Sequence, residues 1–355
     1  MSNRTPEPNR TPESKRVYET AFAADPERYE NAAFRRAGSS GLDLPAFSFG
    51  LWQKFGADYA YETQREIILH AFDLGITHFD NADRYGPPHR AAQQNFGRVL
   101  ARDLAPYRDE ILLSTKAGNP IGPSPYLKGS SRKSLLTSLD HSLRDLGTDY
   151  VDIFYSHRQD DSVPLEETVG ALVSAVQQGK ALYVGISNYR PDRAHQAAEL
   201  LRDAGVPLLV HQPRYSIYDR TIENNGLLEV AEQDGFGLVV YSPLAQGLLT
   251  DKYLESIPDG ARATASTFLS PDQITETYRQ RTAELNKLAE SRGQSLAQLA
   301  LQWVLRKPEV TSALIGASSV WQLDHNVAAL DFAPLTDAEL ALIEEHGVHG
   351  TGLNL

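Results

Sequence analysis

The sequence contains no cysteine among its 355 residues and carries a net charge of −12. Without cysteine there can be no disulfide bonds, thiolate metal ligands or cysteine nucleophiles, so any redox chemistry must depend on a bound cofactor. No apolar run approaches the roughly 18 residues that a membrane-spanning helix needs. The acidic balance argues against nucleic acid, because binding it requires a basic face. We therefore expect neither a membrane nor a nucleic acid as a partner.

The first residues differ in composition from the rest of the chain. Residues 1–16 are polar and repetitive, with the pentapeptide NRTPE at 3–7 and again at 9–13. Low hydrophobicity and repetition are typical of a disordered tail. The segment lacks the apolar stretch of a signal peptide, so we expect a cytoplasmic protein. We assign 17–355 to a single domain.

Short apolar, β-rich runs alternate with amphipathic stretches along that domain. One such stretch, 131–147, places Leu135, Leu139 and Leu143 on one helical face. This alternation predicts βα units with parallel strands. Eight such units favour a closed (β/α)8 TIM barrel over an open doubly wound sheet. The eight runs are 47–51, 76–81, 111–116, 151–157, 183–188, 208–212, 237–241 and 312–316.

Polar or aromatic residues stand at the ends of six of these runs. In a closed barrel the carboxyl ends of the strands converge on one mouth, where the active sites of this fold lie. We therefore expect these side chains to form one site. They are Asp80, Lys116, His157, Ser187 with Asn188, Gln212, and Tyr241 with Ser242.

Asp80, Lys116 and His157, together with the nearby Tyr85, suit the reduction of a carbonyl. A phenol with a pKa of about 10 is a poor acid at neutral pH. A neighbouring ammonium is expected to lower that pKa, and Asp80 can orient the lysine. The histidine can then hydrogen-bond the substrate oxygen. The hydride must come from a nicotinamide or a flavin, because the chain has neither cysteine nor an obvious metal cluster.

Each of these four residues also has an ordinary structural interpretation. Asp80 could cap a helix and Tyr85 could be a packing residue, while Lys116 could be solvated and His157 could lie in the core. No Gly-x-Gly-x-x-Gly motif follows a strand, so a Rossmann-type site is not indicated. The run at 312–316 is followed by small residues and a helix start, a geometry in which backbone N–H groups hold phosphate.

Six motifs resemble those of the aldo-keto reductases, namely FDNADRYG, STKAG, DIFYSHR, GISNY, YSPLAQGLLTDKY and IGASSVWQL. The resemblance covers 34–346 and is nearest to the branch that contains the potassium-channel β subunits and the reductases of L-glyceraldehyde 3-phosphate. It implies Tyr85 as the proton donor, tuned by Lys116 and Asp80, with His157 orienting the carbonyl. It further implies small aldehyde substrates such as L-glyceraldehyde 3-phosphate or methylglyoxal, and a homo-oligomer that is a tetramer or octamer.

The resemblance also implies NADPH or NADP as the cofactor, with NADH less expected. Ser319 stands where many relatives carry an arginine for the 2′-phosphate of NADPH, which leaves the strength of this preference open. The nicotinamide would stack on Tyr241. The residues implied to hold the rest of the cofactor are Ser187, Asn188, Gln212, Ser242, Leu244, Gln246, Gly247, Lys252, Gly316, Ser318, Gln322 and Asn326.

Candidates for the substrate site follow less directly from the sequence. Trp52, Phe55 and Tyr126 are candidate apolar walls, and Arg158 is a candidate partner for a substrate phosphate. Two other functions stay open. One is a nicotinamide-binding regulatory subunit similar to the potassium-channel β subunits, which the intact set of four candidate catalytic residues disfavours. The other is a metal-dependent hydrolase, for which only two strand-end residues qualify as ligands, so we expect no metal.

Overall fold

The computed structural model describes residues 22–258, 261–265 and 268–354. The expected disordered tail at 1–16 lies outside these residues, and the assignment of 17–355 to one domain stays a prediction. In the part of the chain described, no helix is long and apolar enough to cross a membrane.

A small antiparallel hairpin, β1 (Phe34–Arg36) and β2 (Asp43–Pro45), precedes the main sheet. The Arg35 guanidinium donates to the carbonyls of Leu305 and Val310, both at 2.7 Å. The hairpin therefore covers the end of the sheet at which the strands begin and leaves the opposite end free for a site. The sequence analysis missed it, because three-residue strands show too little alternation to recognise.

Eight parallel strands form a closed barrel in which each strand pairs with the next along the chain and the last pairs with the first. Closure removes the free sheet edges. This confirms the predicted (β/α)8 barrel, and each predicted run overlaps one strand. The strands are β3 (Phe47–Gly50), β4 (His78–Asp80), β5 (Leu112–Ala117), β6 (Val151–Ser156), β7 (Ala181–Ser187), β8 (Leu208–Gln212), β9 (Gly237–Tyr241) and β10 (Val310–Ile315).

Helices surround the barrel and bury their apolar faces against it. A smaller apolar cluster joins barrel residues such as Ile153 and Val239 to Ala37 and Leu44 of the hairpin segment. The helices are α1 (Tyr61–Asp73), α2 (Ala91–Val99), α3 (Arg132–Leu146), α4 (Leu165–Gln177), α5 (Pro191–Asp203), α6 (Thr221–Asn224), α7 (Leu227–Asp234), α8 (Arg262–Ala265), α9 (Glu276–Ser291), α10 (Leu296–Val304), α11 (Val320–Val327) and α12 (Asp337–His346).

Helix α3 shows how the sequence sets these elements. The Ser131 hydroxyl caps its first turn by accepting a hydrogen bond from the Ser134 N–H at 3.3 Å. Gly147 ends the helix in the left-handed region, with φ at 67°. Between these caps the predicted leucine face is buried, so α3 packs against the main apolar core along its whole length.

Helices α2 and α3 approach each other closely at Gly97. A Cβ atom added at Gly97 would lie 2.3 Å from the Asp145 carbonyl oxygen, which is well inside van der Waals contact. Only glycine therefore fits at this crossing without a shift of one helix.

We predict that Gly97→Ala destabilises the fold by about 1–3 kcal/mol, because the helices must separate to admit a methyl group. Urea unfolding followed by circular dichroism should show a lower midpoint for this variant. Gly41→Ala is the matched control, since a Cβ at Gly41 has no neighbour within 4 Å. An unchanged midpoint for Gly97→Ala would show that the contact relaxes freely.

Candidate active site

A cleft of about 740 Å³ opens at the end of the barrel where the strands end. Its volume lies in the range of small-molecule and cofactor sites. Tyr85 and His157 line the cleft, whereas Asp80 and Lys116 are fully buried. Hydrogen bonds and ring contacts link the four predicted catalytic residues to one another, as the following contacts show.

Lys116, on β5, connects the buried part of the site to the cleft. Its Nζ donates to the Asp80 carboxylate, to the Asn81 carbonyl at 2.9 Å and to the Tyr85 hydroxyl at 3.1 Å. These three acceptors use all three ammonium protons. Lys116 is therefore held in one orientation against the phenol, and it is not the solvated strand-end lysine of the structural interpretation.

Asp80, the last residue of β4, is the counter-ion of this lysine. Its carboxylate also accepts from the Ser114 hydroxyl at 2.8 Å and from the Gln212 side-chain amide at 3.1 Å. Burial alone would raise the pKa of the Asp80 carboxyl, but the Lys116 charge and the hydrogen bonds from Lys116 and Ser114 bring it below its usual value. Asp80 therefore stays ionised at neutral pH.

The environment of Tyr85 corrects one expectation from the sequence. Burial, together with the nearby Asp80 charge, raises the pKa of the phenol well above its usual value. The sequence analysis expected a lowered pKa, and this net direction is wrong, because burial and the Asp80 charge outweigh the effect of the Lys116 ammonium. Tyr85 consequently keeps its proton at neutral pH until a basic oxygen is placed against it.

A tight contact between two loops holds Tyr85 at the mouth. The Ala57 N–H donates to the Pro87 carbonyl at 2.9 Å, and Gly86 adopts a φ of 83°. A Cβ added at Gly56 would lie 2.4 Å from the Pro87 ring, so glycine is required there. The loop after β3 thus packs on the turn that carries Tyr85.

His157 directly follows β6 and is half-buried at the edge of the cleft. Its ring meets the Tyr85 ring edge-on, with centroids 6.0 Å apart. Burial and the Lys116 charge lower the pKa of His157 to about 3. The imidazole is therefore neutral at pH 7 and can share a hydrogen bond with an oxygen that also reaches the phenol.

The predicted cofactor residues lie along the same cleft, with the exception of Asn326. The Tyr241 hydroxyl donates to the Asn188 side-chain oxygen at 2.8 Å, and the Asn188 amide donates to the His157 carbonyl at 3.2 Å. This chain of contacts links the ends of β6, β7 and β9. The lining residues from the predicted set are Ser187, Asn188, Gln212, Tyr241, Ser242, Leu244, Gln246, Gly247, Lys252, Gly316, Ser318 and Gln322.

Four of the residues that line the cleft have a backbone in the left-handed region, although none is glycine. The φ angles are 66° at Lys54, 58° at Asn188, 56° at Ser242 and 62° at Gln246. Such conformations are unfavourable for side-chain-bearing residues and persist where the surroundings hold them. Their concentration at the cleft is typical of a functional site.

The segment after β10 has the helix start that the sequence predicts. The Ser319 hydroxyl caps α11 by accepting from the Gln322 N–H at 3.2 Å, and the Ser318 N–H donates to the Gln322 side chain at 2.9 Å. Asn326 lies one turn further along α11 and is buried. Its side-chain nitrogen has no hydrogen-bond partner among the described residues.

Only one of the four candidate substrate residues lines the cleft. Trp52 lines the cleft and packs edge-on against Phe268, with centroids 4.7 Å apart. Phe55 is fully buried in the core, whereas Tyr126 and Arg158 are exposed and are not among the lining residues. The sequence analysis also missed several lining residues, and the one with the clearest signal was Arg84, which directly precedes Tyr85. The missed residues include Lys54, Tyr59, Arg84 and Asn119.

No metal-binding constellation accompanies these groups in the portion of the chain that the structure describes. No three His, Asp or Glu side chains there are close enough to hold a metal ion.

Known proteins resemble this chain along nearly its whole length. The profile of the Aldo/keto reductase family matches residues 46–348, which include all eight barrel strands. The chain is 52% identical over 338 residues to an L-glyceraldehyde 3-phosphate reductase from Escherichia coli K12, covering 94% of this chain and 97% of the relative. It is 35% identical over 324 residues to a putative voltage-gated potassium channel subunit beta from Schizosaccharomyces pombe, and the match covers 89% of this chain and 93% of that relative.

A solved structure agrees with these sequence matches. The holo form of the aldo-keto reductase AKR11C1 from Bacillus halodurans matches this fold with a TM-score of 0.71 at 29% identity. The match covers 89% of this chain and 96% of that chain. The similarity therefore extends over most of both chains.

We predict that His157 and His211 stay neutral down to about pH 5, because burial lowers the pKa of each imidazole to about 3. His195 should behave oppositely, since its hydrogen bond to Asp234 raises its pKa. NMR of protein with ¹³C-labelled histidine, assigned with His→Gln variants, measures these titrations directly. Titration of His157 near pH 6.5 would show that burial does not lower the pKa of this imidazole.

Proposed function

The chain belongs to the aldo/keto reductase family and is therefore an oxidoreductase, and on this premise we propose that it reduces small aldehydes to alcohols with NADPH. The observation that carries the proposal is the buried Lys116–Asp80 pair in hydrogen-bond contact with Tyr85 at the cleft. The name of the Escherichia coli relative supports L-glyceraldehyde 3-phosphate as a substrate. Methylglyoxal is the second candidate.

In the proposed reaction Tyr85 donates the proton. The aldehyde oxygen lies against the Tyr85 hydroxyl and becomes basic as the carbonyl is reduced. The phenol then transfers its proton, and the Lys116 ammonium at 3.1 Å stabilises the phenolate that is left. The high pKa of Tyr85 in the unreacted site keeps the proton in place beforehand.

His157 orients the same oxygen. Its neutral ring can donate one N–H to the carbonyl oxygen and thereby help to position this oxygen for the phenol. Lys116 and His157 thus have separate roles, because the lysine stabilises the negative charge on Tyr85 and the histidine positions the substrate oxygen. The two groups need not exchange a proton with each other.

The residues present fit a nicotinamide dinucleotide. The described residues that line the cleft include Arg214 and Lys252 but no carboxylate. Asn326 lies one turn beyond the lining residue Gln322 on α11, and its buried side-chain nitrogen has no hydrogen-bond partner among the described residues. Ser187, Asn188 and Gln212 would hold the carboxamide beside Tyr241. When bound, the nicotinamide supplies the hydride.

Helix α11 bears on the choice between NADPH and NADH. No lysine or arginine occurs between residues 310 and 327, and Ser319 is engaged as the helix cap. A 2′-phosphate would therefore find no cation in this segment. We propose NADPH as the cofactor and expect only a modest preference over NADH.

A second function, a nicotinamide-binding regulatory subunit, is favoured by the similarity to the Schizosaccharomyces pombe channel subunit. Tight NADPH binding without turnover of any aldehyde would support this alternative. The expectations of a homo-oligomer and of a cytoplasmic location also stay predictions.

We predict that Tyr85→Phe lowers kcat for aldehyde reduction by about 10²- to 10⁴-fold, because the phenol proton is lost. The assay follows NADPH oxidation at 340 nm with L-glyceraldehyde 3-phosphate or with methylglyoxal as the substrate. Parallel assays with NADH in place of NADPH measure the cofactor preference. The matched control is Tyr150→Phe, since Tyr150 immediately precedes β6 at the opposite end of the barrel.

Quenching of protein fluorescence by NADPH should be unchanged in Tyr85→Phe, which separates loss of chemistry from loss of binding. Full turnover by Tyr85→Phe would assign the proton donor to another group. Equal losses in the two tyrosine variants would point to a general effect on folding.

A further inference from the structure

The charge of the cleft is opposite to that of the protein. The chain carries a net charge of −12, yet the described residues that line the cleft include four cations and no aspartate or glutamate. A concave surface of one sign concentrates ligands of the other sign. The cleft is therefore suited to anionic ligands. The four cations are Lys54, Arg84, Arg214 and Lys252.

Two of these cations already have another role. Arg214 forms an ion pair with Asp219, and Lys252, in the short helical turn after β9, is one of the residues that the resemblance implies to hold the cofactor. The other two, Lys54 and Arg84, follow β3 and β4 on the half of the mouth that carries Tyr85. No carboxylate in the described parts of the chain forms an ion pair with either of them.

The loops that carry Lys54 and Arg84 are fixed to each other. The Ala57 N–H to Pro87 carbonyl bond and the close approach of Gly56 to Pro87 join the two loops. The amide of Asn95, on α2, also donates to the Phe55 carbonyl at 3.0 Å. The two cations consequently face one cleft from a rigid support.

Arg84 lies at the catalytic end of this cleft. It directly precedes Tyr85 in the chain, and its charge is among those that lower the pKa of His157, after burial and Lys116. The left-handed backbone of Lys54, with φ at 66°, turns the chain at the same mouth. In a phosphorylated triose the phosphate is only a few bonds from the carbonyl, so its partners must lie near Tyr85 and His157.

We propose that Arg84 and Lys54 bind the phosphate of the substrate and thereby select phosphorylated small aldehydes over uncharged ones. This inference rests on the proposed reductase function. The planar guanidinium can hold two phosphate oxygens at once, while the lysine adds a mobile point charge. Both side chains are exposed at the mouth, so a phosphate can reach them without breaking an existing ion pair.

The structure favours this pair over Arg158, the arginine that the sequence suggested. Arg158 is exposed, and it is not among the residues that line the cleft. Its backbone carbonyl accepts from the Ser130 hydroxyl at 3.2 Å, which ties this part of the chain to the loop before α3. The Arg158 charge also lowers the pKa of His157, as that of Arg84 does, but only Arg84 is among the residues that line the cleft.

The test compares L-glyceraldehyde 3-phosphate with unphosphorylated L-glyceraldehyde in the wild type, Arg84→Met and Lys54→Met. The kcat/KM for the phosphorylated substrate divided by that for the unphosphorylated one should fall by about tenfold or more in Arg84→Met. The main cause should be a higher KM for the phosphorylated substrate. Lys54→Met should show a smaller fall. Arg144→Met, an exposed arginine on α3, is the matched control and should leave the ratio unchanged. A merely structural role for Arg84 would lower both kcat/KM values together and keep their ratio.

A binding measurement separates this inference from the proposed function. Inorganic phosphate, titrated calorimetrically into the NADPH-loaded protein, should bind the wild type and bind Arg84→Met more weakly. If the wild type reduces neither aldehyde but shows this difference, the reductase proposal fails and the anion site stands. The assignment is overturned if Arg84→Met and Lys54→Met leave both the kcat/KM ratio and phosphate binding unchanged. It is also overturned if only Arg158→Met lowers this ratio and weakens phosphate binding.

Discussion

Lys116 and Asp80 form an ion pair whose two side chains are fully excluded from solvent. Burying such a pair is costly unless every remaining donor and acceptor finds a partner. Here Ser114 and Gln212 donate further hydrogen bonds to the carboxylate. The Asn81 carbonyl and the Tyr85 hydroxyl accept the remaining hydrogen bonds of the ammonium. The pair therefore joins β4, β5 and β8 inside the barrel and fixes the position of the phenol. A looser arrangement would leave a buried charge unpaired, so the geometry of the site follows from the requirement to satisfy this pair.

The same pair determines the protonation of its neighbours. Because the two charges cancel, Tyr85 does not experience an isolated ammonium, and burial keeps both the phenol and the His157 imidazole in their neutral forms. The resting site therefore holds one neutral acid, one neutral hydrogen-bonding ring and a balanced ion pair. In the proposed reaction, charge appears only when a substrate oxygen takes the proton. The fixed ammonium would then stabilise the new phenolate without any reorganisation, which is how preorganised electrostatics lowers a barrier.

The sequence was sufficient for the barrel, because each strand is an apolar run between helical periods and the polar strand ends mark the mouth. It was insufficient where the outcome depends on solvent exclusion or on the direction of a side chain. The pKa of Tyr85 is the clearest case: the presence of a lysine is readable, but the burial that reverses its effect is not. Arg158 and Arg84 are a second case, since each adjoins a proposed catalytic residue in the chain, and only the folded loops show which one lines the cleft. The hairpin β1–β2 was missed because its strands are too short to show a period.

The distribution of charge links the site to its proposed ligands. A cation at a mouth that also held carboxylates would form internal ion pairs, and a ligand would have to displace them before binding. Among the described lining residues no such competitor is present, so Lys54 and Arg84 remain solvated at the mouth. Their partner is then an anion that enters with the substrate, and its binding replaces water rather than protein contacts. The net charge of the chain is −12, so the cluster of cations at the cleft departs from the overall charge balance. Recognition of the phosphate and protonation of the carbonyl would thus be carried by adjacent residues, Arg84 and Tyr85, on one rigid turn.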